Sequence, residues 1–388
     1  MILSLGADLK GSFAIRRGTR TWYEKGFGDL ADAECFHRWA DAIEKALDGE
    51  APAMIIVDPH PLYRSHHFGR LLSRRTGARL IEVQHHVAHA EAVRAEHGFQ
   101  GSYLGLVMDG SGYGPDGTIW GCELLRIEEG RWSRKGHLRA VVCPGGDLAA
   151  REIWRMGLAW LTVDDINNPY ITIFERNIGS ERMGSALAQI RSGRPVTTSA
   201  GRAFDAAASI MGLRMRVKEE GEAARDLEEY ASKGWPGDRL AYSVADGVLD
   251  LAPAMHELAE RARDGLVRGG LGRNGAPMSR LAAAFHETYI EGLVDLVVES
   301  AGEKEHRVVL SGGCFLNAIL SREIHLRLSR RGFKVHQANH YSPGDDALAL
   351  GQIEVGRLPG SERANDHAYK PAMIALDSAT SRWDDASA

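Results

Sequence analysis

Leu106-Val107-Met108-Asp109-Gly110-Ser111-Gly112-Tyr113-Gly114 reads as an apolar strand, begun at Tyr103, that delivers an aspartate into a glycine-rich turn. The chain opens in the same way. Leu3-Ser4-Leu5-Gly6-Ala7-Asp8 is followed by Lys10-Gly11 and by an alternating return strand over Ser12 to Ile15. Each stretch is a buried strand, an aspartate at its end and a strand coming back. Internal similarity of this kind predicts two lobes of like topology. Each lobe is expected to be a mixed sheet flanked by helices, so the fold class is α/β.

Just upstream of Asp109 stands Gln84-His85-His86-Val87-Ala88-His89, between a strand over Arg79 to Val83 and a helix that runs to His97 and stops at Gly98. His85 and His89 are one helical turn apart on one face. Two imidazoles so placed can hold one metal ion, and Asp109 is a suitable oxygen ligand. The spacing also allows a solvated helix with polar edges.

The 388 residues suffice for two domains or one large bilobal one, with 44% hydrophobic and 26% charged residues, as in ordinary globular proteins. The net charge of −5 supplies no basic field, so neither a nucleic-acid nor a membrane partner is expected. There is no run of 18 apolar residues, and the N-terminus lacks the basic start of a signal peptide. Cys35, Cys122, Cys143 and Cys314 are scattered, with no C-x-x-C pair. That argues against a zinc ribbon or disulfide framework and favours a reducing, cytoplasmic setting.

Further along, Met54 to Val57 is a short strand that runs into Asp58-Pro59-His60-Pro61. Arg307 to Leu310 is a strand ending in Ser311-Gly312-Gly313, with a helix from Phe315 directly behind it. A strand, a Gly-Gly turn and a helix start form a phosphate-binding arrangement, because free N–H groups point at the ligand. Leu281 to Ser300 is a long helix whose packing face holds positions 285, 289, 293, 296 and 297. Residues 1–100 form the expected first lobe and 101–358 the second. The second lobe carries a helical insertion over about 160–270, and its last helix packs back on the first lobe. The polar tail 359–388 is expected to be loosely ordered.

Paired strand–aspartate–glycine hairpins resemble the actin and sugar-kinase fold, where they grip nucleotide phosphates between the lobes. The resemblance narrows further. GADLKGSF at the start, GFGDL (26–30), DPHPLYRS (58–65), VQHHVAH (83–89), DGSGYGPDGTIWGCE (109–123) and PGGDLAAREIWR (144–155) resemble, in order, the C-terminal half of the HypF family. SAGRAFDAAASIMGL (199–213), EEGEAARDLE (219–228), FHE (285–287), LSGGCFLN (310–317) and SPGDDALALGQ (342–352) continue the match. HypF proteins are hydrogenase-maturation carbamoyltransferases, and this half is similar to the TsaD-type tRNA threonylcarbamoyl-transfer proteins.

The resemblance implies a divalent metal, zinc or iron, on His85, His89, Asp109 and Asp345. It implies a nucleotide, carbamoyl-adenylate or ATP, with Mg²⁺ as a candidate companion. Gly110, Ser111, Gly112, Gly312 and Gly313 would lie along the nucleotide's phosphates with Asn317 close by, and Asp205 and Gly221 would lie nearer the ribose. No catalytic side chain is implied beyond this metal-centred set. The implied reaction transfers a carbamoyl group from carbamoyl-adenylate to the C-terminal cysteine of a HypE-type partner, for the cyanide ligand of nickel–iron hydrogenase.

The chain also departs from the family. It lacks the family's upstream modules, so it reads as a truncated single-module form that needs a separate adenylate-forming protein. The usual HHHAH is His-His-Val-Ala-His, YEGQAA is Glu-Glu-Gly-Glu-Ala-Ala, and SGGVFQN is Ser-Gly-Gly-Cys-Phe-Leu-Asn. The alternatives are a tRNA threonylcarbamoyl transferase, a small-molecule O-carbamoyltransferase, and a non-catalytic remnant that binds metal and nucleotide. His60 reads as a turn histidine bonded to backbone, His286 as exposed or close behind a ligand, Arg155 as a solvated helix arginine, and Arg327 as part of a basic helix end.

Overall fold

The computed structural model describes residues 1–267, 276–303 and 305–358, so the polar tail lies outside the described residues. The first sheet is built from β1 (Ile2–Ser4), β2 (Ser12–Arg17), β3 (Arg20–Lys25), β4 (Met54–Val57) and β5 (Arg79–Glu82), in the order β3-β2-β1-β4-β5. Hairpin partners run antiparallel, while β4 and β5 join in parallel through crossover helices. These are α1 (Ala33–Leu47), which buries Trp39, Ile43 and Leu47 against the sheet, and α2 (Arg64–Thr76). Asp32 caps α1 by accepting the Cys35 N–H at 2.9 Å. Then α3 (His85–His97) opens on the cap of Gln84, whose side-chain oxygen accepts the Val87 N–H at 3.0 Å.

The second sheet repeats the plan. It begins with β6 (Tyr103–Tyr113), β7 (Ile119–Glu128), β8 (Arg131–Leu138) and β9 (Val141–Val142). The next segment holds α4 (Trp154–Leu161), α5 (Thr172–Ile178), α6 (Ser180–Ser192), β10 (Val196–Thr197), α7 (Ala200–Ile210) and α8 (Glu222–Gly234). After it come β11 (Ser243–Ala245), β12 (Val248–Asp250), α9 (Ala252–Val267), α10 (Ala276–Ser300), β13 (Arg307–Ser311), α11 (Ala318–Arg330), β14 (Lys334–Gln337) and α12 (Leu348–Gly356). The order β8-β7-β6-β13-β14 matches β3-β2-β1-β4-β5, strand for strand and sense for sense. The duplicated hairpins of the sequence are thus the first two strands of two equivalent sheets, as an actin and sugar-kinase type of α/β fold requires. Segment 160–270 adds strands as well as helices, because β12 extends the sheet beyond β8 and β10 pairs with β7.

One local expectation fails. Asp109-Gly110 does not end its strand: β6 runs on to Tyr113, its pairing with β7 breaking after Met108 and resuming at Gly112. This irregularity is a bulge, which bends the strand and re-aims the side chains within it. The reversal follows at Gly114 to Thr118, where the Gly114 N–H donates to the Thr118 carbonyl at 3.0 Å. Finally, α12 lies on β1 and α3. Ser4 Oγ donates to the Ala349 carbonyl at 2.7 Å, and the Gln352 side chain bonds both backbone groups of Gly6. Gly351 permits this contact, since a Cβ there would fall 1.8 Å from the Ala88 carbonyl oxygen.

Candidate metal centre

Three elements deliver four side chains to one point. The first two turns of α3 carry His85 and His89, the bulge in β6 aims Asp109, and a short 3₁₀ turn over Asp345–Ala347 supplies Asp345. All four residues are buried. His85 Nε2 stands 3.2 Å from His89 Nε2, 3.3 Å from Asp109 Oδ2 and 3.7 Å from Asp345 Oδ1. His89 Nε2 stands 3.9 Å from Asp109 Oδ2 and 3.3 Å from Asp345 Oδ1. One ligand atom from each residue lies within 4.8 Å of all the others.

These separations fit a metal. Ligand bonds of about 2.0–2.2 Å in tetrahedral array put donor atoms roughly 3.3–3.6 Å apart. Two imidazoles and two carboxylates suit zinc or ferrous iron and match no soft-ligand set. Burial alone would depress His85, but hydrogen bonds to Asp109, Asp345 and Asp58 outweigh it and hold the imidazole well above its ordinary range. Burial likewise opposes ionisation of Asp345, yet His85 and His89 hold its carboxyl well below the usual carboxylate range. The unsatisfied Nε2 of buried His86 is separate from the cluster; burial and the neighbouring histidines keep that ring neutral.

The residues behind the cluster were less visible in the sequence. His85 Nδ1 lies 2.7 Å from Asp58 Oδ2, so the carboxylate fixes the tautomer that leaves Nε2 free for the cluster. Asp58 sits at the end of β4, and the strand-end aspartate pattern shared with Asp8 and Asp109 is the signal that could have found it. Asp109 divides its carboxylate: Oδ2 faces the histidines and Oδ1 accepts the Gly313 N–H at 3.3 Å. Ser199 caps α7 and donates to the Gly110 carbonyl at 2.6 Å, tying that helix to the bulge.

The residues assigned to a nucleotide fare differently. The Gly312 N–H donates to the Pro343 carbonyl at 2.9 Å, and the Gly313 N–H is engaged by Asp109, so neither amide is free in the way the Gly-Gly turn suggested. The tertiary neighbours of the turn account for this, since both partners come from other segments. Asn317 caps α11, its Oδ1 accepting the Leu320 N–H at 3.1 Å, and its Nδ2 meets His286 Nε2 at 3.1 Å. Gly112 makes room for rings, because a Cβ there would lie 2.5 Å from His86 Cε1. Gly110 lies under the Glu220 carboxylate, Ser111 is exposed, and Gly221 has φ +71° at the start of α8. Asp205 is buried in α7 with Arg202 at 3.2 Å, and burial pushes its carboxyl up to about 6 against the pull of that arginine.

Two arginines correct the sequence reading, and one histidine narrows it. Arg155 is buried, bonded to Glu152 at 2.8 Å and set over Trp154. Arg327 grips Glu287 and Glu291, so it is a clamp between α11 and α10 rather than a free basic end. His286 is fully buried and bonded to the Ala282 carbonyl. His60 is bonded to backbone as read, its Nδ1 accepting the Leu62 N–H at 3.3 Å.

Comparison with known proteins identifies the family. Residues 1–96 match the family model described as HypF Kae1-like domain, and residues 105–352 match that described as Carbamoyltransferase, Kae1-like Domain, second subdomain. The chain belongs to the HypF carbamoyltransferase family. It is 36% identical to a carbamoyltransferase HypF homolog of Cupriavidus necator, over 91% of either chain. It is 35% identical to the carbamoyltransferase HypF of Rhizobium leguminosarum bv. viciae over 92% of this chain and 45% of that protein. A crystal structure of full-length HypF in its phosphate- and nucleotide-bound form matches with a TM-score of 0.83 at 29% identity, covering 95% of this chain and 56% of that one. The chain thus spans about half the length of these longer HypF proteins. Among the described residues, no helix is long and apolar enough to cross a membrane.

Proposed function

We propose that this chain is the transfer module of hydrogenase maturation, moving a carbamoyl group from carbamoyl-adenylate to the C-terminal cysteine of a HypE-type protein. One observation carries the reading: four buried donors from three separate elements converge at metal-binding distances beside a Gly-Gly turn. Packing alone does not call for two buried imidazoles and two buried carboxylates at one point. The nucleotide-bound state of the related HypF supports a nucleotide in the cleft. The Cupriavidus necator relative, matched over 91% of its length, carries the name carbamoyltransferase HypF homolog, which supports the transferase reading.

The reaction is an acyl transfer. A C–S bond forms between the acceptor thiolate and the carbamoyl carbon, the C–O bond to the adenylate phosphate breaks, and AMP leaves with its charge. A divalent ion on His85, His89, Asp109 and Asp345 would supply electrophilic stabilisation of the charge that develops there. Asp58 holds His85 in the tautomer that keeps Nε2 as a donor. Gly313 steadies Asp109 through its N–H, and so ties the turn expected at the phosphates to the metal ligand.

The test is transfer of labelled carbamoyl from supplied carbamoyl-adenylate to a HypE-type C-terminal cysteine, with tRNA as a competing acceptor. Label on the cysteine is the expected result. Modification of tRNA when threonylcarbamoyl-adenylate is supplied as the donor instead would transfer the assignment to the threonylcarbamoyl class, and no label with AMP binding retained would mark a non-catalytic remnant.

A further inference from the structure

The loop from Ala338 to Asp346 brings in Asp345, and neither lobe holds it alone. At its start, Glu96 Oε1 accepts the N–H groups of Asn339 and His340 at 2.9 and 2.7 Å. In its middle, the Pro343 carbonyl accepts the Gly312 N–H of the second lobe. At its end the outermost ribbon of the first lobe takes over. The Tyr23 hydroxyl in β3 donates to the Asp346 main-chain carbonyl, Lys25 Nζ stands 2.9 Å from the Asp346 carboxylate, and the Tyr341 ring meets that of Tyr23 edge-on at 6.0 Å.

Asp345 is thus bracketed. On one side its turn closes through the Ala347 N–H and the Gly344 carbonyl at 3.1 Å, and on the other Tyr23 fixes the carbonyl of the very next residue. Burial and the nearby Asp346 keep the Tyr23 phenol protonated, so it stays a donor. Lys25 contributes less, because its side chain is 48% exposed and an exposed pair is screened.

We propose that Tyr23 is a positioning residue for the metal centre: from the edge strand of the first lobe it sets where the Asp345 carboxylate stands relative to His85 and His89. The inference rests on the metal reading above. It makes metal affinity depend on a contact between β3, which carries no ligand, and the turn that carries Asp345. Residues that orient a ligand from behind typically change metal affinity by about 10- to 100-fold.

The experiment is a Co²⁺ titration of the full chain, read by the visible absorption of the bound ion, for wild type, Tyr23→Phe and Lys25→Met. AMP binding and thermal unfolding are followed in parallel. Tyr23→Phe is expected to weaken Co²⁺ binding about tenfold and to alter the band shape, with AMP affinity unchanged within twofold. Lys25→Met is expected to stay within about threefold of wild type. Co²⁺ affinity and spectrum unchanged in a folded Tyr23→Phe would overturn the positioning role and leave the metal reading standing. A wild-type protein that takes up no Co²⁺ would overturn the metal reading itself. Should Tyr23→Phe fail to fold, Tyr341→Leu decides, since it loosens the same contact from the exposed side: weaker Co²⁺ binding supports the role and unchanged binding refutes it.

Discussion

Asp58 determines which nitrogen of His85 is available, and this is a test at the scale of one residue. Asp58→Asn keeps the volume but weakens the acceptor at Nδ1. Metal affinity is expected to fall about tenfold while the fold persists, as a competition titration with a chromophoric chelator would show. His89→Ala removes a ligand outright: metal content per chain should drop to background, and the variant should stay folded and melt with the chelator-stripped wild type, below the metal-loaded protein. Asp205 gives a pH test. Its carboxyl binds a proton more tightly in the folded chain, about 6 against an ordinary 3.8. The stability of that protonated form is fully present below pH 3.8 and is lost as pH rises through 6, leaving a cost of roughly 2–3 kcal/mol for the ionised group at neutral pH. Asp205→Asn should therefore raise the melting temperature at pH 7.5 and leave it nearly unchanged at pH 4. If nucleotide binding weakens in the same variant, the strained carboxylate is retained for ligand contact. Of the residues at this scale, His85, His89 and Asp109 were readable as possible ligands from spacing and a strand end. Asp345 came from the family resemblance, Asp58 showed only as an aspartate at a strand end, and Tyr23 was silent because its partner lies far away in sequence.

Elements were legible where their periods were clean. The expected packing face of α10, Phe285, Tyr289, Leu293, Leu296 and Val297, is buried throughout. Met54 to Val57 and the Gly77 and Gly98 stops stand as read. The bulge in β6 was not legible, because a strand that pauses and resumes looks like a strand that ends in a turn. Its consequence is geometric, since the irregularity lies at Asp109, whose carboxylate meets the histidines. Contact between α12 and α3 gives a sharper test. In Gly351→Ala the new Cβ meets main-chain atoms of Ala88, which no rotamer change can relieve. The substitution should cost at least about 3 kcal/mol and lower the melting temperature, and it should also weaken metal binding, because Ala88 lies between the two histidines.

For the molecule as a whole, the four candidate ligands come from α3, β6 and the loop before α12, so metal binding there would be a property of the folded chain and of no single segment. An ion that binds the folded chain alone adds RT ln(1 + [L]/Kd), or about 2.7 kcal/mol at a hundredfold excess over Kd. Chelator-stripped protein should melt several degrees lower, in a single transition that metal restores, and identical melts would speak against the site. What the sequence by itself determined was the local grammar: two strand–aspartate hairpins, a histidine pair one turn apart, a Gly-Gly turn, and from these two lobes of one plan. Only the tertiary structure decided what each group faces. Asp8 and Asp109 share one sequence context, yet Asp8 accepts the Arg64 and Ser65 N–H groups at 2.6 and 2.9 Å to cap α2, while Asp109 turns to the histidines. The physical reason is range. Periodicity and turn chemistry act over a few residues, whereas the direction of a carboxylate is set by partners that only packing of distant segments brings within hydrogen-bond reach.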